Sequence, residues 1–378
     1  MNYLDLNLIG DRVQANPAAY GLQSPGASTA ADVAAGRADN FLFYADNVHL
    51  SSAGFAIVGA YAVRQLEAPL HLEAQVDTVL HSAESFGQAL EDRLDLGSAD
   101  EGDGPPLRLF LTGDYGQRTR DDTLTSLEYR TVRTGGTIGL EYDGGQWLVG
   151  AAVNLSNGES DMRTGTGSVA SDALQFGAYA SWSNGNAFIE AYGGVGRADL
   201  DIRRDAIIDE IRGAPDAETM IAGAQVGYLM DFGQLKIGPV LGIAYARARI
   251  DAFTETGDQV LTLNVREQED DQLVASAGLE LNGSSDIGGG RFSPYLTAVA
   301  EKELESDPRT ILYAATAAPG IVNRWTVGGG SDDPYARITG GANFSITRAV
   351  TLQVAAGTTV GQDGGDSSSA SVAVRVGF

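Results

Sequence analysis

The sequence has no cysteine, and only 25 basic residues stand against 50 acidic ones, for a formal net charge of -25. Without cysteine there are no disulfides, thiol nucleophiles or thiolate metal sites. The lack also suits a chain that crosses an oxidising periplasm unfolded. Scarcity of Lys and Arg excludes nucleic acid as a partner, because those residues make the phosphate contacts. No apolar run approaches the ~18 residues of a transmembrane helix, so membrane residence requires a closed barrel. Nucleotide and metal signatures are missing too. Gly288 to Gly290 and Gly328 to Gly330 are followed by neither a helix pattern nor a P-loop Lys, and they read as turns. Glu269-Asp270-Asp271 and Asp332-Asp333 read as solvated acidic loops rather than Ca²⁺ ligands. No cofactor and no metal are expected. Met1 to Leu6 carry no basic n-region, and Asp5 and Asp11 interrupt any apolar stretch, so the start is not a secretory signal. The expectation is that the chain is the C-terminal part of a longer protein, or a reading frame with its start lost.

What is present is alternation. In the last ten residues, Val372, Val374, Val376 and Phe378 point one way and Ser371, Ala373, Arg375 and Gly377 the other. Such a segment is long enough to cross a bilayer as a tilted strand, which takes about 9–11 residues. The pattern occurs twelve times, near 107–116, 130–143, 146–156, 172–183, 186–199, 218–231, 234–249, 272–283, 291–303, 335–347, 350–360 and 369–378. Links between them alternate. Gly144-Gly145, Asn184-Gly185, Phe232-Gly233 and Arg348-Ala349 are tight turns, whereas 117–129, 157–171, 200–217, 250–271, 304–334 and 361–368 are long and polar. Short turns on one rim and long loops on the other are the asymmetry of an outer-membrane barrel. A soluble β-sandwich explains the alternation but not that asymmetry. Trp147, Trp182, Tyr228, Tyr245, Phe344 and Phe378 lie near strand ends, as interfacial girdles require. Glycines on the lumen face leave room for something inside.

Upstream of the strands, Pro69 punctuates the chain. Leu72, Val76, Val79, Leu80, Ala83, Phe86, Leu90 and Leu94 then recur at helical spacing across 70–96. That helix would be roughly 35–40 Å long. It reads either as an amphipathic helix on a soluble core or as a plug threading the lumen, and its position just before the strands favours the plug. Gly97 to Pro106 reads as an acidic Gly/Pro hinge. Residues 1–40 hold too little apolar surface for a core of their own. Phe41 to Tyr44 reads as a short strand and Asp46 to Ser51 as a turn. Ser52 to Leu66 reads as a helix with Phe55, Val58 or Gly59, Ala62 and Leu66 in register. His71 and His81 read as solvated helix positions.

Asp46-x-x-His49, with Leu50-Ser51 and a helix after it, resembles the last block of the GDSL esterase/lipase family. Leu4 to Asn7 and Ala15 to Gly21 are similar to the segment before that block. The resemblance covers about the first 68 residues. It implies that His49 is the general base and Asp46 the group that orients it in a Ser-His-Asp triad. The family's nucleophile block is absent, and Gly365-Asp366-Ser367, though the same letters, precedes the last strand and reads as a turn. A lumen helix followed by twelve strands and a terminal Phe resembles the translocator unit of a type V autotransporter.

Together these resemblances imply a mainly β fold, a twelve-stranded antiparallel outer-membrane β-barrel with a lumenal α-helix, preceded by a small α/β remnant of a GDSL hydrolase. Residues 1–68 would be the end of the esterase passenger, 69–105 the linker helix and hinge, and 106–378 the barrel. The barrel would anchor and export the passenger at the cell outer membrane, with the passenger facing the cell surface. Val372, Val374, Val376 and Phe378 would be the signal read by the barrel-assembly machinery. Expected partners are that machinery, periplasmic chaperones and outer-membrane lipid, with an ester substrate only for the full-length form. The expected state is a monomer. The alternatives are an active surface carboxylesterase and a passive diffusion pore.

Overall fold

A β-strand bonds to a neighbour on each side, and in lipid no edge can be left unpaired. The computed structural model, which describes residues 3–98, 105–304, 308–328 and 333–378, meets that demand by closure. Twelve antiparallel strands run around one ring: β1 (Leu107–Arg120), β2 (Tyr129–Asp143), β3 (Trp147–Met162), β4 (Gly167–Ser183), β5 (Ala187–Asp205), β6 (Asp216–Tyr228), β7 (Leu235–Ile250), β8 (Gln268–Gly283), β9 (Gly290–Glu303), β10 (Tyr335–Ser345), β11 (Val350–Val360) and β12 (Ser367–Gly377). Each pairs with the next, and β12 returns to β1 with Val376 opposite Leu109 and Gly377 opposite Arg108. Alternation fixes which face is which. Leu111, Phe176, Leu241 and Val372 stand 51–60% exposed on the outside, while Phe110, Gln175 and Val240 beside them are 1% exposed inside.

The ladders outrun the hydrophobic pattern. The expected loop 157–171 shrinks to a turn at 163–166, because β3 continues to Met162 and β4 begins at Gly167. Asp161 still pairs with Ser168 there. Above the lipid belt the outer face is wet, so apolar alternation stops while backbone pairing continues. Tight turns form the other rim, with Gly145, Gly185 and Gly233 at positive φ. Two long links also fold rather than staying irregular: Phe253–Thr254, Leu263–Val265, Arg309–Ala315 and Asn323–Val327 form a separate four-stranded sheet. Glu269 to Asp271, expected in a loop, lie on β8, where Glu269 meets Arg247 at 2.5 Å and Asp270 meets Arg309 at 3.0 Å. Asp332, Gly329, Gly330 and the centre of the expected hinge, 99–104, lie outside the described residues.

The N-terminal segment contains α1 (Leu6–Ala15), capped by Asp5, whose carboxylate accepts from the Asn7 and Leu8 amides at 3.0 Å. Helix α2 (Ala30–Ala34) starts at a Thr29–Asp32 capping box. Ser24–Ala27 and Phe41–Phe43 pair in parallel, and α3 (Ser52–Glu67) follows, capped by Ser51. Here the expected register of the helix is wrong. Gly54, Ile57, Tyr61 and Gln65 are the buried stripe, and Phe55 and Leu66 stand 63% and 58% exposed. Apolar residues ring α3, so spacing alone cannot choose a face. After a short turn of 3-10 helix, Ala68–His71, comes α4 (Glu73–Ser98).

Candidate functional site

Helix α4 lies inside the barrel. The expected stripe of Leu72, Val76, Val79, Leu80, Ala83, Phe86, Leu90 and Leu94 is at most 4% exposed. From Val76 on it packs along the barrel wall, whereas Leu72, just before α4, packs on the separate four-stranded sheet with Leu263, Val265, Ile311 and Tyr313. Small residues on that wall make the fit possible. A Cβ at Gly177 would sit 2.6 Å from Leu90 Cδ1 and 2.9 Å from Phe86 Cζ. A helix on a soluble surface keeps its polar face wet. Inside a cylinder most of that face meets the wall, with only a lumenal cavity beside Ser85 and Gln88 left open. This corrects the reading of His81 as solvated. His71, on the turn before α4, is covered by the β3–β4 turn instead, and each is 5% exposed. His71 lies against Gly167 and Thr166, and burial drives its imidazole pKa down to about 3.

The polar face of α4 is matched to the lumen. Near its C-terminal end, Arg93 donates to both Glu141 oxygens at 2.9 and 2.8 Å and to Gln353 Oε1 at 2.6 Å. Its guanidinium stands 4.4 Å from the centre of the Phe110 ring. Tyr179 donates to the same Glu141 at 3.0 Å, and Arg375 lies 3.6 Å from it. One helix residue thus engages β1, β2 and β11. Near the opposite end, Asp77 receives Arg118 at 3.4 Å, Arg120 at 3.2 Å and the Tyr129 hydroxyl at 3.0 Å. Arg118 also pairs with Glu84. Between the two, Thr78 bonds Ser160 at 2.6 Å and Ser82 bonds Ser156 at 3.0 Å. A charged helix can rest in the barrel because the lumen carries the opposite charges where its side chains reach. Sequence reasoning found the apolar stripe but passed over Arg93, Asp77 and Glu141. The available signal was charge at lumen-facing strand positions, such as Glu141 between outward Leu140 and Tyr142.

Asp46 and His49 are brought together on the loop between Phe43 and α3. Asn47 holds φ +56, the Asn47 amide donates to Tyr44 O, and the Tyr44 amide donates to His49 O. Asp46 Oδ1 accepts from the Val48 and His49 amides, each at 3.0 Å, and its Oδ2 lies 2.6 Å from His49 Nδ1. The bond to His49 first, and the amides with it, hold the Asp46 carboxyl pKa down to about 2. The pair is solvated, with the His49 side chain 76% exposed. Gly365-Asp366-Ser367 is elsewhere: it closes the β11–β12 turn, Gly365 takes φ +122, and Ser367 opens β12 opposite Arg118. Val372, Val374, Val376 and Phe378 all face outward, 40–65% exposed, and the Phe378 amide donates to Leu107 O. Trp147 pairs across the ladder with Trp182, both outward near the tight-turn rim, and Tyr142 stacks 5.4 Å from Trp147.

Comparison with known proteins agrees with this architecture. The family model described as the autotransporter beta-domain matches residues 109–357. The translocator domain of the autotransporter NalP from Neisseria meningitidis is similar in structure, with a TM-score of 0.64 at 19% identity over 81% of this chain and 99% of that one. The beta domain of the Bordetella autotransporter BrkA gives a TM-score of 0.52 at 13% identity over 72% of this chain and 99% of that one. No curated protein matches the chain.

Proposed function

Since this chain belongs to the autotransporter beta-domain family, we propose that it is the translocator and outer-membrane anchor of a GDSL-type esterase passenger. The observation that carries the anchoring role is α4. It is held in the lumen by Arg93 at one end and Asp77 at the other, and it leads directly into the folded segment 3–71 on the long-loop side. A chain fixed this way keeps its N-terminal segment tethered after export. Lipid covers the outer belt, and the barrel-assembly machinery is the natural reader of β12. Residues 1–68 are assigned to the passenger, 69–105 to the linker and 106–378 to the barrel.

The passenger assignment rests on Asp46 and His49. Their 2.6 Å contact supports an orienter-and-base role, in which Asp46 fixes the tautomer and His49 takes the proton of a serine hydroxyl. The matching nucleophile block is not in this sequence, so the chain itself should not turn over ester. Hydrolysis of a chromogenic short-chain ester by the purified chain should not exceed background. A clear rate abolished by His49→Ala would make it a surface esterase instead. Export is tested with an epitope inserted at Gly36, an exposed turn. An impermeant antibody should label intact cells, and labelling only after permeabilisation would sink the surface assignment.

A further inference from the structure

The barrel's long loops do more than connect strands: they finish the core of the N-terminal segment. Ile9 and Val13 of α1, Leu22, Leu42, and Ile57 and Tyr61 of α3 form one buried cluster with Ala206 and Ile211 of the β5–β6 link and Val260 and Leu261 of the β7–β8 link. The segment's own sheet has two strands, too few to be stable without packing against something else. The four barrel residues supply that packing, and Ile211 and Leu261 are both 0% exposed.

Polar contacts at this junction are aimed rather than incidental. Asp258, 0% exposed at its side chain, accepts the Tyr61 hydroxyl at 2.8 Å and lies 3.2 Å from Arg12 Nε. Its other bonds are to its own loop, where the Val260, Leu261 and Thr262 amides turn back onto it. Arg12 also reaches Asp209 at 2.8 Å, and Tyr20 bonds Tyr61 at 2.7 Å. The platform is also braced from the barrel side. Arg204 of β5 grips both oxygens of Glu255 at 2.8 and 2.6 Å and the Leu261 carbonyl at 2.9 Å, and Glu255 accepts the Leu263 amide. The loop carrying the Asp258 carboxylate and Leu261 is thus anchored by barrel contacts of its own as well as by the segment it meets.

We propose that the loop platform built from 206–211 and 255–263 is a docking site for the exported segment 3–67 of the same chain, and that this segment completes its fold only on it. The proposal rests on the reading that 3–71 stands outside the membrane. The barrel then has a second role. It stabilises and orients what it has exported, holding the Asp46–His49 loop on a fixed mount.

The test uses the full chain in cells, with the Gly36 epitope present. Added protease should cleave within 3–67 at least about tenfold faster in Leu261→Asp than in the wild type, because cleavage follows the population of the opened state. The barrel of the variant should keep its heat-dependent gel mobility. If the platform variant disturbs barrel assembly, Tyr61→Phe and Asp258→Asn serve instead. Each should speed cleavage, and the double variant should fall short of the sum of the two, because the Tyr61–Asp258 bond they share is lost only once. Unchanged protection in an epitope-labelled, folded barrel overturns the docking proposal. Additive effects of the two single changes overturn it as well. Failure of the epitope to label intact cells overturns the surface reading instead, and the two outcomes are separable.

Discussion

Arg93 of α4 and Glu141 of β2 face each other in the lumen at 2.9 and 2.8 Å, with side chains 3% and 0% exposed. A pair so fully withdrawn from water gains little over an apolar pair of the same size, but losing one partner leaves a buried charge uncompensated. The contact therefore specifies where α4 stops in the barrel more than it adds to overall stability.

Arg93→Ala should loosen the lower half of α4, at a local cost of about 3–5 kcal/mol. With no native cysteine in the chain, Ser85→Cys gives a single reporter on the helix. Its labelling by a small impermeant maleimide should rise sharply in the Arg93→Ala background. Equal labelling in both would show that the ion pair does not hold the helix.

The fit at Gly177 leads to a second expectation. A side chain there meets Leu90 and Phe86, so Gly177→Val should strain the packing by about 1–3 kcal/mol. Deleting the helix should open the lumen outright and raise conductance in planar bilayers. A deletion that leaves conductance unchanged would mean that α4 is not the plug.

Lipid contact is testable by placing a charge. Leu111 faces outward on β1, and Leu124 projects from the β1–β2 loop, 97% exposed. Leu111→Arg should destabilise the inserted barrel by about 2–4 kcal/mol if the position is near the bilayer midplane. Leu124→Arg should be neutral. Folding into vesicles in urea reads both, and equal effects would place β1 outside lipid.

His71 makes stability pH-dependent. Burial lowers its folded pKa from 6.5 to about 3, so the unfolded chain binds the proton more readily. The contribution is therefore complete above about pH 6.5 and is lost as the pH falls toward 3. At pH 5 the loss is about 2 kcal/mol. His71→Gln should flatten the dependence of the urea midpoint between pH 8 and 5, and an unaltered slope would count against burial of the neutral ring.

Much of this molecule is legible in one dimension because a membrane simplifies the physics. Each strand shows lipid a single face, so Leu109, Leu111, Val372 and Val374 announce their side by alternation alone. The α4 stripe is equally plain, since an apolar wall selects one face of a helix. The loop from Asp46 to His49 is local in sequence, so three residues suffice to bring its side chains together. Legibility fails where partners are distant or where both faces are apolar. Spacing picks the wrong stripe on α3, because Phe55 and Leu66 are as apolar as Ile57 and Tyr61. The histidines read as solvated because nothing local says that the barrel wall covers His81 or that the distant β3–β4 turn covers His71.

Strand count, the side each strand turns to lipid and the lumen helix are written into the residue pattern, since they follow from periodicity against lipid or an apolar wall. Which charges meet is settled by the folded barrel alone. Arg93 and Glu141 are 48 residues apart, and Tyr61 and Asp258 are 197 apart. Those pairings depend on ring closure and strand register, which set distances in space that no local pattern encodes.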